Sequence, residues 1–360
     1  MIRKPNIVMT GATGFLGSSL AASVLQQGGS VVAITRKDSN GERTRSAVHQ
    51  ASLGFGYSLS VEDEKRLFVI ESSLEDLPKL DQCCLQYPDF TFWHCAADMR
   101  YNNIPIEESL STNLIQSSKL YRYFATKPNC KRFYLVSTAY TAGFDVQDVK
   151  EEIHFHPRLI NYYQISKWAA ELSLALDCQR QPLPVTIFRP SIICGHDETG
   201  WHGKSRFGLY GVLGAIAVAT KSESRSLALN IREDASPNFI PINRLVEHAL
   251  LLDAEIDTQA QLEIVHSAAA SNLLISEIEP LVRKLWDINI LFTEPNDRRS
   301  ERVNAAFASN LPFLNHFWRF EQTTLPRLLQ DRYKPFHMST EIMSFLIEKF
   351  YMPKMQPLAV

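Results

Sequence analysis

Along the first two hundred residues, short β-branched apolar runs alternate with longer stretches of helical periodicity. Asn6-Ile-Val-Met-Thr10 predicts a buried strand, and Ser18–Gln27 predicts a helix closed by Gly28-Gly29. Ser30-Val-Val-Ala-Ile-Thr35 predicts a second strand. The alternation returns downstream, with strands over Asp89–Cys95, Lys131–Val136 and Val185–Phe188. Helical patterns lie over Ile104–Thr126 and from Tyr163 to Leu176. Two regions break the rhythm. The insertion Asp38–Asp63 has poor periodicity, and the last 110 or so residues match no pattern that assigns them a role.

A chain of 360 residues exceeds the size at which one hydrophobic core stops growing, so one large domain with an appended lobe is expected. Apolar residues at 45% and charged residues at 21% exclude a disordered or fibrous chain. With 37 basic against 39 acidic residues, the net charge of −2 gives no global field to recruit nucleic acid or anionic membrane. The six cysteines form no C-x-x-C and suit free thiols in a reducing compartment. The longest near-apolar run, Gly208–Thr220, has 13 residues where a span needs about 20. A cytoplasmic chain without a membrane span is expected. His154, His156, His196 and His202 lack a third ligand at metal spacing, so no metal is expected.

Glycine is scarce at 15 residues, yet eight of them lie within residues 11–17 and 200–214. In the first cluster, Gly11, Gly14 and Gly17 stand between a strand and a helix. Gly11 permits a tight turn, Gly14 lets backbone N–H groups approach a pyrophosphate, and Gly17 lets helix and strand pack closely. The helix N-terminus adds partial positive charge for the phosphates. The spacing G-x-x-G-x-x-G in Thr10-Gly-Ala-Thr-Gly-Phe-Leu-Gly17 resembles the signature of the extended short-chain dehydrogenase/reductases. After the second strand come Arg36 and Lys37, two cations that suit the 2′-phosphate of NADP. The alternative is a solvated pair, with Asp38 serving the ribose of NAD.

That resemblance implies a Tyr-x-x-x-Lys farther along, and Tyr163-Gln-Ile-Ser-Lys167 supplies it about 150 residues after the loop. At i and i+4 the phenol and the ammonium share one helix face. A nearby ammonium favours phenolate and is expected to bring the phenol toward the working range. The strand before it ends in Ser137-Thr138, where a hydroxyl can meet a carbonyl oxygen as charge develops. Both hydroxyls remain candidates, although alignment with the superfamily favours Thr138. Asn113 falls where the superfamily has a proton-relay asparagine.

Several strings resemble a narrower group. Trp93-His-Cys-Ala-Ala-Asp-Met-Arg-Tyr101, Val136-Ser-Thr-Ala-Tyr140, Asn161–Lys167, Arg189-Pro-Ser-Ile192 and Gly200-Trp-His-Gly203 occur in order. Together they are similar to the fatty acyl-CoA reductase and thioester reductase branch, the male-sterility-type NAD-binding family, over roughly residues 5–250. The resemblance implies an α/β fold: a Rossmann-type doubly wound parallel sheet with a smaller, mainly helical C-terminal substrate lobe. The division expected is residues 1–195, with about 236–255 returning, for the NADP-binding domain. Residues 196–235 and 256–360 are expected to form the lobe.

By the same resemblance, Thr138, Tyr163, Lys167 and Asn113 are the catalytic residues. The cofactor residues are Gly11, Thr13, Gly14, Phe15, Leu16, Gly17, Arg36, Lys37, Ser73, Leu74, Cys95, Ala96, Ala97, Asn113, Tyr163, Lys167, Pro190, Ser191 and Ile192. Ser72-Ser73-Leu74 departs from the Asp-Leu usual against the adenine. The implied activity is NADPH-dependent reduction of an acyl thioester, on CoA or a separate carrier protein, to aldehyde or alcohol. Reduction of a ketone or aldehyde, nucleotide-sugar epimerisation, and a silent NADP-binding regulatory module are the alternatives; the protein is expected to be a monomer or homodimer. In the second cluster, Gly208, Gly211 and Gly214 at i, i+3 and i+6 predict a bare helix face at a cost of about 3 kcal/mol relative to alanine. That segment is expected to be either a tightly packed helix pair or a lid on the acyl channel. Lys204 and Arg206 are candidates for a CoA or phosphopantetheine phosphate.

Overall fold

The computed structural model describes residues 4–72, 76, 79–81, 87–101, 103–203, 208–219 and 225–351. The strands are β1 (Asn6–Thr10), β2 (Ser30–Thr35), β3 (Leu67–Glu71), β4 (Phe90–His94), β5 (Cys130–Val136), β6 (Asp148–Val149) and β7 (Val185–Pro190). They continue with β8 (Ile192–Cys194), β9 (Ser226–Leu229), β10 (Phe239–Pro241), β11 (Leu262–Ser267), β12 (Asn289–Phe292) and β13 (Arg319–Phe320). Seven of them form one sheet in the order β11-β7-β5-β4-β1-β2-β3, and every pairing in it is parallel. Ligands of such sheets bind beyond the carboxyl ends of the strands where the order reverses, here between β1 and β4.

Alternate residues of each strand serve opposite faces, and both faces are buried. Ile7, Met9, Val31, Ala33 and Trp93 join Leu16, Leu20 and Val24 of the helix Phe15–Gln26 and Leu245 and Ala249 of the helix Ile242–Ala254. Val8, Val32, Phe92, Phe133 and Ile187 pack on the other side against Leu120 and Phe124 of the helix Gln116–Phe124. Ala170 and Leu174 of the helix Tyr162–Cys178 complete that layer. Burial on both faces explains why the strands read as continuous apolar runs.

The rest forms a lobe with the helices Leu209–Ala219, Ile275–Trp286, Arg298–Ala306 and Thr340–Tyr351. It also carries the small parallel pairs β9–β12 and β6–β13. Two differences from the sequence expectations stand out. β11 lies in the stretch given to the lobe, yet it is the edge strand of the central sheet. The bare glycine face is shorter than expected, because Gly208 precedes the helix at φ +55° and only Gly211 and Gly214 lie within it. Ser73, Leu74, Lys204 and Arg206 fall outside the described residues. Among those described, no helix is long and apolar enough to cross a membrane.

Candidate active site

The glycine loop is built by close approach. Gly11 sits at φ +77°, and a Cβ on it would lie 2.6 Å from the backbone N of Ala96, just beyond β4. A Cβ on Gly17 would lie 2.1 Å from the Gly11 carbonyl oxygen, so the helix can dock there only with glycine. Gly14 differs: its nearest contact would be 3.3 Å, and it opens the helix with no side-chain cap. The N–H groups of this helix start, left without a side-chain cap, suit an anion. Below the loop, Thr10 Oγ1 is 2.7 Å from His94 Nδ1 and accepts from Ala96 N at 3.3 Å, tying β1 to β4.

Beyond β2, Arg36 and Lys37 border the same cleft, as does Arg43, which the sequence reading missed. Arg43 donates to the Arg36 carbonyl at 2.6 Å. Asp38 is not among the residues that line the cleft. Its carboxylate accepts from Arg43 N at 3.1 Å, Thr44 N at 3.0 Å and Thr44 Oγ1 at 2.6 Å, so it is occupied starting the helix Glu42–Gly54. Burial would raise that carboxyl, but the Thr44 hydroxyl and the two backbone donors hold it below the ordinary range.

At the other end of the cleft the helix Tyr162–Cys178 is started by Asn161, whose side chain accepts from Gln164 N at 2.8 Å. This places Tyr163 where its phenol hydrogen-bonds Thr138, the residue after Ser137 at the end of β5. Lys167 is 1% exposed and donates from Nζ to the Val136 carbonyl at 2.5 Å, beneath the cleft wall. Burial pulls its ammonium down to about 8, against the raising influence of Glu171. The expectation that Lys167 would lower the phenol is not met. Burial, followed by Tyr101 and Glu171, raises Tyr163 above 10, opposed by the Thr138 bond. The phenol is therefore protonated at neutral pH. Glu171 pairs with Arg189 at 2.7 Å with both side chains fully buried, pinning this helix to β7.

Asn113 differs from its expected place. It lies in a π-helical turn, Ser111–Ile115, behind the wall formed by Thr112 and Gln116. Its side chain donates to the Asp98 carbonyl and to Ser166 Oγ, each at 2.9 Å, and accepts from Asp98 N at 2.7 Å. With its amide so engaged, it positions the loop after β4 against the Tyr163 helix.

The cleft encloses about 900 Å³. Thr13, Phe15, Leu16, Cys95, Ala96, Ala97, Pro190, Ser191 and Ile192 line it as expected, together with Ser137 and Thr138. Burial pushes the Cys95 thiol up to about 12, which leaves it no nucleophile at neutral pH. Ser137 Oγ and Ser191 Oγ are buried at the ends of adjacent strands with no hydrogen-bond partner among the described residues. Opposite stand Tyr101, Asn310, Phe313 and Leu314, none of them read from the sequence. Tyr101 meets Tyr163 edge-on and stacks on Phe313, each at 6.4 Å between ring centroids. Tyr101 was visible inside a quoted string; the other three have no local signal.

This sheet, loop and Tyr-Lys helix define an NAD(P)-binding oxidoreductase of the extended short-chain dehydrogenase/reductase class. The chain belongs to the male sterility protein family, whose NAD-binding domain it matches over residues 9–248. It is 26% identical over 265 residues to the non-canonical nonribosomal peptide synthetase cpsA of Aspergillus campestris, covering 69% of this chain and 24% of that protein. It is 27% identical over 214 residues to the non-reducing polyketide synthase pkiA of Emericella nidulans, covering 56% of this chain and 8% of that one. The chain thus spans a quarter or less of the length of these relatives.

Two solved structures superpose with TM-score 0.77. The terminal R domain of the myxalamid PKS-NRPS pathway is 17% identical and is matched over 98% of this chain and 92% of its own. The archaeal thiolation-reductase di-domain is 18% identical, over 98% and 76%. A UDP-glucose 4-epimerase from Thermotoga maritima superposes at 0.64 with 17% identity, over 97% and 99%. These likenesses share the fold.

Proposed function

We propose that the protein is an NADPH-dependent reductase of an acyl thioester, presented on CoA or on a carrier protein. The observation that carries this reading is the Thr138–Tyr163 hydroxyl pair, in a cleft whose lining also includes the apolar surfaces of Tyr101, Phe313 and Leu314. An acyl chain suits those surfaces, and a thioester oxygen suits those hydroxyls. The family membership and the likeness to reductase domains of peptide and polyketide synthases support the same chemistry.

The residues present fit the cofactor. The helix start behind Gly14, without a side-chain cap, would receive the pyrophosphate. Arg36, Lys37 and Arg43 offer charge to a 2′-phosphate, and Asp38, spent on its helix, offers none to a ribose hydroxyl. Ser137 and Ser191, each a buried hydroxyl without a partner among the described residues, can meet the carboxamide. NADPH supplies a hydride to the thioester carbonyl carbon.

As that hydride adds, negative charge on the oxygen is stabilised by Thr138 and Tyr163. Tyr163, protonated at neutral pH, gives its proton to that oxygen. Lys167, held by Val136 beneath the wall, has further N–H donors for the nicotinamide ribose and fixes the geometry around the phenol. Collapse of the hemithioacetal releases thiol and aldehyde, so one NADPH and one proton are consumed per thiol freed. A second hydride would give the alcohol.

Incubation with NADPH and a panel of acyl-CoAs, aldehydes, ketones and nucleotide sugars tests this, with absorbance and free thiol followed together. Thiol release in step with NADPH oxidation is expected. Turnover of a carbonyl or nucleotide sugar with no thioester turnover overturns the assignment. Tyr163→Phe is expected to lower kcat/KM by 100-fold or more, about the size of a general-acid contribution, with NADPH affinity retained. Full activity in that variant removes Tyr163 from its role.

A further inference from the structure

Gly200-Trp-His-Gly203 lines no part of the cleft, yet it is closely packed. After β8 the chain turns on itself: His196 N donates to the Trp201 carbonyl and Gly200 N to the His196 carbonyl, each at 2.8 Å. Asp197 ties this turn to the helix Ile242–Ala254, accepting from Arg244 at 2.9 Å and from Asn243 at 2.6 Å. On its other side, Thr199 Oγ1 donates to the Gly54 carbonyl at 2.6 Å, one of those that the end of the helix Glu42–Gly54 leaves open. The Trp201 indole lies directly on Gly54. A Cβ there would come within 2.2 Å of Cδ2 and 2.3 Å of Cγ, so only glycine lets the ring approach so near.

The same indole meets Phe15, with ring centroids 5.1 Å apart and planes at 51°. Gly203 closes on that ring as well, since a Cβ on it would lie 3.1 Å from Phe15 Cδ2. Phe15 is the first residue of the helix whose start has no side-chain cap, and it lines the cleft. A turn anchored on two other helices therefore bears on the residue that opens the helix behind the glycine loop.

We propose that Trp201 is a positioning residue for the dinucleotide: by bearing on Phe15 it fixes the helix start that takes the pyrophosphate, without touching the cofactor itself. A backbone already held in its binding geometry loses less freedom on binding, which raises affinity. The inference depends on the dinucleotide site alone and stands whichever carbonyl compound is reduced. Its effect is also separate from that of the cations. Arg43 stands at the N-terminal end of the helix Glu42–Gly54, beside Arg36, whereas Trp201 lies on the C-terminal residue. Trp201 thus acts on the pyrophosphate that NADPH and NADH share, and not on the 2′-phosphate.

Equilibrium titration of Trp201→Leu with NADPH, NADH and adenosine 2′-phosphate, which has no pyrophosphate, tests this. Affinity for NADPH and NADH is expected to fall alike, by about 2- to 12-fold, the range that the energy of an aromatic pair gives, with adenosine 2′-phosphate binding unchanged. Trp201→Phe keeps a ring against Phe15 and is expected to recover most of the loss. Gly54→Ala displaces the indole from its seat and is expected to repeat the pattern of Trp201→Leu, which keeps a readout available should that variant not fold. Both substitutions act through one contact, so the double variant is expected to bind no more weakly than the weaker single one. Unchanged NADPH and NADH affinities in both single variants overturn the proposal. An equal loss for all three ligands does so too, because it marks a general loosening of the fold, and additive losses in the double variant separate Gly54 from Trp201 with the same result.

Discussion

Three buried histidines make the protein sensitive to mild acid. His94, His248 and His266 are 1%, 4% and 0% exposed, and burial is the main cause that lowers each. His94 is brought to about 3 and His248 to about 4, with Lys167 and Arg244 acting in the same direction; His266 is held well below 6.5. Each ring uses Nδ1 on a fixed partner: Thr10 Oγ1 at 2.7 Å, Ser267 Oγ at 2.8 Å and the Glu321 carbonyl at 2.8 Å. Nε2 of His94 and of His266 has no acceptor among the described residues, so protonation there creates a buried charge without a partner among them. Because the folded values lie below the unfolded value near 6.5, the unfolded chain binds more protons in between. Stability is therefore complete above about pH 6.5 and falls as pH drops toward 4. At pH 5.5 the unfolded state gains about 1.4 kcal/mol per site, roughly 4 kcal/mol for the three, against a total stability of order 5–15 kcal/mol. Urea unfolding at pH 7.5 and 5.5, followed by tryptophan fluorescence, measures the difference, and His248→Asn should remove about a third of it. Equal midpoints at the two pH values would show that these rings titrate normally.

Two further outcomes follow from the ion pairs. Arg36→Ala and Arg43→Met should each weaken NADPH binding about 10- to 100-fold, the scale of a charge-assisted hydrogen bond, and leave NADH binding nearly unchanged. Fluorescence titration with both cofactors reads this, and a parallel loss of NADH affinity would assign the two arginines to the fold instead. Glu171→Gln leaves the Arg189 guanidinium buried beside a neutral amide and should cost about 3–5 kcal/mol in urea unfolding. Replacing both partners with methionine should recover much of that loss, and a double variant no better than the single one refutes the pairing argument.

The cofactor loop was legible because its requirement is local. Gly17 meets the carbonyl of Gly11 six residues away, and no side chain fits between them. The spacing of Tyr163 and Lys167 was legible for the same reason. The state of the phenol was not, because burial, Tyr101 and Glu171 raise it, and the Tyr-x-x-x-Lys spacing contains none of these. Asn113 shows the same limit: its amide is taken by Asp98 and Ser166, a set of partners visible only when the two helices and the loop after β4 come together.

β11 escaped notice because Glu263 and His266 give it the look of a half-exposed strand. Both are buried, and their partners come from far along the chain: Arg327 pairs with Glu263 at 2.7 Å, and the Glu321 carbonyl meets His266. The aromatic wall is another long-range construction, since Tyr101 and Phe313 stack across more than two hundred residues. These cases share a physical cause. A backbone that must admit phosphate constrains neighbouring residues and leaves a motif, whereas an apolar wall asks only for bulk, which many residues at many positions can supply. The chemistry is thus fixed within the first two hundred residues by short-range geometry. The apolar packing of the helices Leu209–Ala219 and Ile275–Trp286 around Leu314 is of that second kind, set by bulk and marked by no motif.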